Sequence, residues 1–175
     1  MTAFITAFVL VTIAEMADKT QLLTLSLACR FPARKVLIGV ALAIAVLNLI
    51  AVVIGVVAGR FIPVTAVKIG AGGLFLAFGL WNLLAKDKPE EAEECEVRSD
   101  KYVILAVTGA FLLAEIGDKT QLATLSLGAR FGDSLLSSVG VWVGATVGMV
   151  LANALAVIVG HVAGRRVPKT LMRRI

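Results

Sequence analysis

The chain has 175 residues, of which 59% are hydrophobic and only 17% are charged, and its formal net charge is +5. Its mean hydropathy of +0.94 is far above that of a soluble domain and predicts a protein embedded in a bilayer. Because no basic cluster accompanies a soluble fold, the positive charge does not predict nucleic-acid binding. Two isolated cysteines, Cys29 and Cys95, lack the spacing of a metal site or a disulfide framework.

The first predicted element covers residues 2–29 and carries a charged motif in its middle. As a single helix its 28 residues would be about 42 Å long, whereas the hydrocarbon core of a bilayer is about 30 Å thick. We therefore expect the segment to tilt, to break or to emerge at one end. Its 13 uncharged residues Thr2–Ala14 span about 20 Å as a helix, which places Glu15 and Asp18 near the middle of the membrane.

Further apolar segments follow in chain order. Val36–Gly59 is long enough to span the membrane, and residues 69–85 predict a shorter third span. A polar linker at residues 86–101, with seven acidic residues, separates these spans from the second half of the chain. In that half a fourth span begins at Tyr102, and a fifth covers residues 134–164.

The second half repeats the first. Residues 14–31 and 114–131 differ at only five of 18 aligned positions, and residues 48–63 match residues 153–168 at nine of 16. Each unit holds three spans, and an odd number of spans makes the two units cross the membrane in opposite directions. The sequence therefore predicts an all-α integral membrane protein built from two inverted three-helix repeats.

The predicted domains are a first three-span repeat at residues 1–85, an acidic cytoplasmic linker at 86–101 and a second repeat at 102–175. The second repeat has no counterpart of residues 69–85, so we expect it to lack its last span in this chain. With the N-terminus outside, 12 Lys and Arg residues lie in the predicted cytoplasmic segments and three in the outer ones. This bias predicts a multi-pass protein of the cell's inner (plasma) membrane with its N-terminus outside.

Each copy of the motif places one Glu, one Asp and one Lys inside an apolar segment. The Glu and Asp are three residues apart, so on a helix they share one face. A charge at the centre of a span costs about 2.5–3.5 kcal/mol, so we expect the six charges to meet at the interface between the repeats. Four carboxylates and two lysines sum to −2, which one divalent cation or two protons would neutralise. The predicted metal ligands are Glu15, Asp18, Glu115 and Asp118, and the predicted supporting residues are Lys19, Thr20, Gln21, Lys119, Thr120, Gln121, Asn48 and Asn153.

The residue types of the motif favour some cations over others and leave the roles of the lysines and asparagines open. Oxygen ligands without His or Cys favour hard cations such as calcium, manganese or magnesium over zinc or copper. Each lysine follows a Glu by four residues and would pair with it when the metal leaves; structural Glu–Lys pairs are the competing interpretation. Asn48 and Asn153 are expected either in interhelical hydrogen bonds or at the metal. The pattern Gly55-x-x-x-Gly59 predicts close helix packing.

With both motif copies in view, the sequence resembles a family of small cation/proton antiporters. This family includes Golgi and chloroplast calcium–manganese transporters and bacterial manganese exporters. Its members have two inverted three-span units, each with a Glu-x-Gly-Asp-(Lys/Arg)-(Thr/Ser) motif in its first span. The copy at residues 115–120 matches fully, whereas the copy at 15–20 has Ala17 at the glycine position. The resemblance implies that the cation site is formed by Glu15, Asp18, Glu115 and Asp118.

The predicted function is divalent cation/proton antiport, with export of manganese favoured and calcium as the other candidate. The transported Mn²⁺ or Ca²⁺ would occupy the site as cargo, and no prosthetic group is expected. Expected partners are the lipid bilayer, the cation and protons, with a homo-oligomer left open. One alternative is export of another small solute with the carboxylates serving only protons; another is a non-transporting membrane subunit or scaffold. The sequence shows no nucleophile–base set or catalytic metal triad, so enzymatic activity is not expected.

Overall fold

The computed structural model describes residues 1–16, 19–61 and 102–164, together with isolated residues between 65 and 80. These residues form α-helices, with no strand among them, so the all-α prediction is confirmed for this part of the chain. The named helices are α1 (Thr2–Glu15), α2 (Lys19–Arg30), α3 (Ala33–Phe61), α4 (Val103–Glu115), α5 (Lys119–Phe131) and α6 (Leu135–Gly164).

Two of the predicted spans coincide with long helices. The spans expected at residues 36–59 and 134–164 are α3, with 29 residues, and α6, with 30 residues. Both contain windows that are long and apolar enough to cross a membrane, while α1 and α4 are apolar but shorter. The linker at residues 86–101 and most of the predicted third span at 69–85 lie outside the described residues.

Local sequence explains where the two long helices begin. Pro32 precedes α3, and its carbonyl oxygen accepts hydrogen bonds from the backbone N–H groups of Lys35 and Val36 at 2.8 and 3.1 Å. Ser134 caps α6, because its hydroxyl oxygen accepts the backbone N–H of Ser137 at 3.2 Å. Both helices thus start at residue types that favour a helix start.

Glycines let neighbouring helices approach each other closely. On α6, a Cβ atom at Gly148 would lie 2.8 Å from the carbonyl oxygen of Phe8 on α1. Between α3 and α5, a Cβ atom at Gly128 would lie 2.9 Å from the carbonyl oxygen of Val52, and Gly55 meets the α5 backbone. Since these approaches leave no room for a side chain, the packing role predicted for Gly55 is confirmed.

The helices of residues 1–61 find their main partners among those of residues 103–164. Helix α1 packs against α6 and α4 against α3, while α3 lies along α5 and α2 along α6. The two long helices, α3 and α6, also contact each other. There, the indole N–H of Trp142 donates to the carbonyl oxygen of Ala45 at 2.9 Å. The two halves of the chain are therefore interlocked, and their motifs can share one interior.

Apolar side chains fill the interior and also cover the outside. Compact or branched residues are buried between the halves, among them Val11, Val36, Val40 and Val107. Large apolar side chains point outward along α1, α3 and α6, including Ile5, Leu10, Leu42, Ile50, Val147 and Leu155. A helix that is apolar on all sides is typical either of the centre of a large protein or of a membrane span.

Candidate cation-binding site

The second copy of the motif lies where its helical segment is interrupted. Helix α4 ends at Glu115, Gly117 has a φ angle of +83°, and Asp118 is the N-cap of α5. Glycine adopts this left-handed conformation without the steric cost of a Cβ atom, which explains the residue type at the turn. Glu115 and Asp118 therefore belong to different helices. The prediction that they share one helical face is wrong, because the helix ends between them.

The first copy is interrupted at the same place. Helix α1 ends at Glu15, Met16 is extended, and α2 begins at Lys19. The segment is therefore broken into two helices, and a break is one of the three outcomes expected from its length. The predicted ligand Asp18 lies outside the described residues, as do the side chains of Lys19 and Thr20.

A glutamine side chain bridges each interruption. Nε2 of Gln21 donates to the backbone carbonyl oxygen of Glu15 at 2.9 Å, and Oε1 of Gln121 accepts the backbone N–H of Gly117 at 2.7 Å. Each glutamine thereby satisfies a backbone group near a helix end. In the structure both glutamine side chains hydrogen-bond to the backbone across an interruption. Their role as neutral oxygen ligands around a metal stays a prediction.

Glu15 and Glu115 are buried at the ends of α1 and α4. Their exposed fractions are 0% and 1%. Removing a carboxylate from water costs several kcal/mol unless polar groups or opposite charges replace the solvent. The polar side chains that reach these positions therefore decide what the two glutamates can do.

Asn153 joins both sides of the first interruption. Its Nδ2 lies 3.4 Å from Oε1 of Glu15 and 3.1 Å from the carbonyl oxygen of Met149. Its Oδ1 accepts a hydrogen bond of 2.7 Å from the hydroxyl of Thr24. Because Glu15 ends α1 and Thr24 lies on α2, one amide of α6 links the two pieces of the broken segment.

Asn48 contacts the corresponding threonine in the other half. Its Oδ1 accepts a hydrogen bond of 3.2 Å from the hydroxyl of Thr124, and its Nδ2 donates to Oγ1 of Thr146 at 3.4 Å. Both asparagines are buried. Of the two roles expected for Asn48 and Asn153, the interhelical hydrogen bond is confirmed, and direct metal contact stays a prediction.

Asp118 and Thr120 form a helix cap. Oδ2 of Asp118 accepts the backbone N–H of Thr120 at 3.3 Å and its hydroxyl at 3.2 Å. Asp118 is half-buried, and so is Lys119, the first residue of α5. The hydroxyl of Thr120 thus lies beside one predicted ligand, and its supporting role at a metal stays a prediction.

The complete four-carboxylate cluster stays a prediction. Within the described part of the chain, no three His, Cys, Asp or Glu side chains are grouped so that they could hold a metal ion. Asp18, one of the four predicted ligands, lies outside that part. Sequence reasoning missed Thr24 and Thr124, whose hydroxyls contact the two asparagines. The available signal was their identity in both copies of the repeat.

Known proteins match this chain over nearly its whole length. The model of a family described as divalent cation/proton antiporter GDT1 matches residues 3–90 and 103–175. A Vibrio cholerae protein named "Putative manganese exporter" is 36% identical over 168 residues, which cover 94% of this chain and 80% of that protein. A GDT1-like protein of Synechocystis is 32% identical, covering 98% of this chain and 89% of that protein. No solved structure matches the chain.

The family match includes both interrupted segments. Its two ranges, residues 3–90 and 103–175, contain both motif copies together with Asn48 and Asn153. A transporter family also accords with a membrane location and with helices that are apolar on their outer faces. The chain belongs to the GDT1 family of divalent cation/proton antiporters.

Proposed function

We propose that this protein exports manganese from the cytoplasm in exchange for protons, with calcium as the second candidate cargo. The family supplies the reaction class, and the Vibrio cholerae relative, through its name, favours manganese. The observation that carries the proposal is the burial of Glu15 and Glu115, one at each helix interruption. Ionisable side chains buried in apolar segments mark ion and proton pathways, because structure alone gives little reason to retain them.

The cation site we propose uses the carboxylates of both motif copies. Together with Lys19 and Lys119, the four ionised carboxylates would sum to −2, so either one divalent cation or two protons would bring the site to neutrality. Carboxylate oxygens without imidazole or thiolate suit Mn²⁺ and Ca²⁺. The ion is bound as cargo through Glu15, Asp18, Glu115 and Asp118.

An inverted repeat accounts for the way the helices pack. The contact of α1 with α6 has its counterpart in the contact of α4 with α3. The hydrogen bond from Thr24 to Asn153 has its counterpart in that from Thr124 to Asn48. A two-fold relation between the halves makes the members of each pair equivalent. Transporters of this plan bind their ions at the interface between the repeats.

We place the helices in the inner (plasma) membrane with the N-terminus outside and residues 86–101 in the cytoplasm. The large apolar side chains on the outer faces of α3 and α6 support contact with lipid, since soluble monomers rarely expose apolar surface of this extent. The orientation rests on charge, because it puts 12 of the 17 Lys and Arg residues on the cytoplasmic side.

Cation uptake into proteoliposomes with an imposed pH gradient tests the proposal. Acidic vesicles should take up Mn²⁺, and uptake should stop when an ionophore collapses the pH gradient. Glu115→Gln should insert normally and show no uptake. Proton flux that is insensitive to Mn²⁺ and Ca²⁺ would contradict cation exchange and favour another solute. Absence of any flux from inserted wild-type protein would favour a non-transporting subunit.

A further inference from the structure

We infer that Thr24 is a positioning residue of the cation site and that Thr124 orients the equivalent asparagine, an inference that rests on the proposed function. Neither hydroxyl belongs to the predicted ligand set, and both threonines are fully buried, with exposed fractions of 0%. Each hydroxyl holds the amide of an asparagine that lies on the opposite half of the chain. Their task is to fix the direction in which that amide presents its donor and acceptor.

The surroundings of Asn153 dictate how its amide is oriented. The carbonyl oxygen of Met149 can only accept a hydrogen bond, so the amide atom 3.1 Å away must be the donor Nδ2. The same nitrogen then lies 3.4 Å from Oε1 of Glu15. Oδ1 is left facing Thr24, and because both side chains are buried, the hydroxyl of Thr24 is its donor at 2.7 Å.

Removing that hydroxyl would disturb Glu15 through Asn153. Oδ1 of Asn153 would become a buried acceptor without the donor that Thr24 now supplies, and a buried acceptor without a donor is unfavourable. Turning the amide to find another donor would take Nδ2 away from Glu15. The hydroxyl of Thr24 therefore keeps the carboxylate of Glu15 in one position, and a cation ligand held in one position loses less freedom on binding.

The second half carries the equivalent threonine–asparagine bond on Asn48. The hydroxyl of Thr124 lies 3.2 Å from Oδ1 of Asn48 and 3.0 Å from the carbonyl oxygen of Thr120, so its one proton is shared between two acceptors. Nδ2 of Asn48 donates to Oγ1 of Thr146 at 3.4 Å. Both threonine–asparagine bonds cross from one half to the other, from α2 to α6 and from α5 to α3. Each half of the chain thus orients a polar side chain of the other half.

The test compares Mn²⁺ transport by Thr24→Val, Thr24→Ser and wild-type protein in proteoliposomes. Loss of one buried hydrogen bond is worth about 0.5–1.5 kcal/mol, so Thr24→Val should raise the KM for Mn²⁺ about 2- to 10-fold. Thr24→Ser keeps the hydroxyl and should restore KM. Thr108→Val is the matched control: its hydroxyl bonds the carbonyl oxygen of Gly39 on α3, away from both asparagines, so KM should not change.

A second measurement shows whether Thr24 acts through Asn153. The Mn²⁺ concentration that gives half of the maximal thermal stabilisation in detergent reports affinity without requiring transport. Thr24→Val should raise this concentration in wild-type protein but not in protein that already carries Asn153→Ala. Where Thr24→Val fails to insert, Thr24→Ala, which also removes the hydroxyl, takes its place in both measurements.

Two results would overturn the inference. One is an unchanged KM in the variant without the hydroxyl while wild-type protein transports Mn²⁺. The other is an equal loss in Thr24→Ser and Thr24→Val, which would mean that the methyl group, not the hydroxyl, matters. Wild-type protein that moves neither Mn²⁺ nor Ca²⁺ would instead refute the proposed function, so the two failures are distinguishable.

Discussion

Gln121 accepts the backbone N–H of Gly117 at 2.7 Å, so a side chain provides the hydrogen bond where α4 gives way to α5. Gly117 itself lies at φ +83°, in the left-handed region. The first motif copy has Ala17 at the equivalent position, a residue type that strongly disfavours this conformation. The two motif copies therefore differ in sequence at position 17/117, where Gly117 adopts the left-handed conformation in the second copy.

Gly117→Ala should destabilise the protein by about 1–2 kcal/mol, the cost of a left-handed conformation for a residue with a Cβ atom. The added methyl group would meet no atom within 4 Å, so strain and not collision is the cause. Thermal unfolding in detergent measures the effect. Gly109→Ala is the matched control, because Gly109 is helical and equally uncrowded, and alanine there should stabilise by about 0.5–1 kcal/mol. Equal thermal unfolding midpoints for Gly117→Ala and wild type would contradict the left-handed conformation assigned to Gly117.

Neutralising any one of the four proposed ligands should abolish transport and leave insertion intact. Glu115→Gln and Asp118→Asn remove charge with little change in shape, so the loss would report on the cation and not on packing. Initial rates of Mn²⁺ and Ca²⁺ uptake are the measurement. Asp133→Asn, in the exposed turn before α6, is the control and should transport normally. Normal rates in all four amide variants would exclude a shared carboxylate site.

Lys119→Gln should slow turnover. Without the lysine the ionised site becomes more negative, so it retains its cation or its protons more strongly and releases them more slowly. Stopped-flow or tracer exchange over a range of pH gives the turnover rate. Lys35→Gln, at the start of α3, removes the same charge outside the motif and should have no such effect. If Lys119→Gln turned over at the wild-type rate with an unchanged pH profile, Lys119 would take no part in cation or proton exchange.

Long-range features of the fold followed from the sequence because they depend on composition over many residues. Uninterrupted apolar runs predicted α3 and α6, and their observed ends lie within three residues of the expected ones. The interruption after Glu115 depends on one glycine and on a glutamine that reaches back to it, so the length of the apolar segment allowed a break but did not locate it.

The role of threonine hydroxyls could not be read from the sequence for a different reason. Thr24 and Asn153 are 129 residues apart, and their hydrogen bond exists only when the two halves interlock. The repeat showed that Thr24 and Thr124 are equivalent, but threonine is a common residue in apolar helices. Only the folded arrangement shows that the hydroxyls of Thr24 and Thr124 reach asparagines of the other half, whereas the hydroxyl of Ser126 bonds the carbonyl oxygen of Leu122 on its own helix.

Cys95 tests the proposed orientation. It lies in the linker at residues 86–101, which the distribution of Lys and Arg places in the cytoplasm. An impermeant thiol reagent added outside intact cells should therefore leave it unmodified, whereas the same reagent should label it in inside-out vesicles. The experiment uses Cys29→Ala, which leaves Cys95 as the chain's remaining cysteine. Labelling from outside would reverse the orientation.

Transport should be electroneutral, with one divalent cation exchanged for two protons. The ionised site sums to −2, and each net charge within the membrane costs about 2.5–3.5 kcal/mol, so the empty ionised site should be too costly to reorient. That penalty would enforce exchange and prevent leak. Acidification should weaken apparent metal affinity, because protons compete with the cation for the same carboxylate oxygens. Mn²⁺ uptake into proteoliposomes at a fixed pH gradient should then be nearly insensitive to a membrane potential clamped with potassium and valinomycin. A steep dependence on that potential would contradict the two-proton stoichiometry and would mean that a further charge moves with the cation.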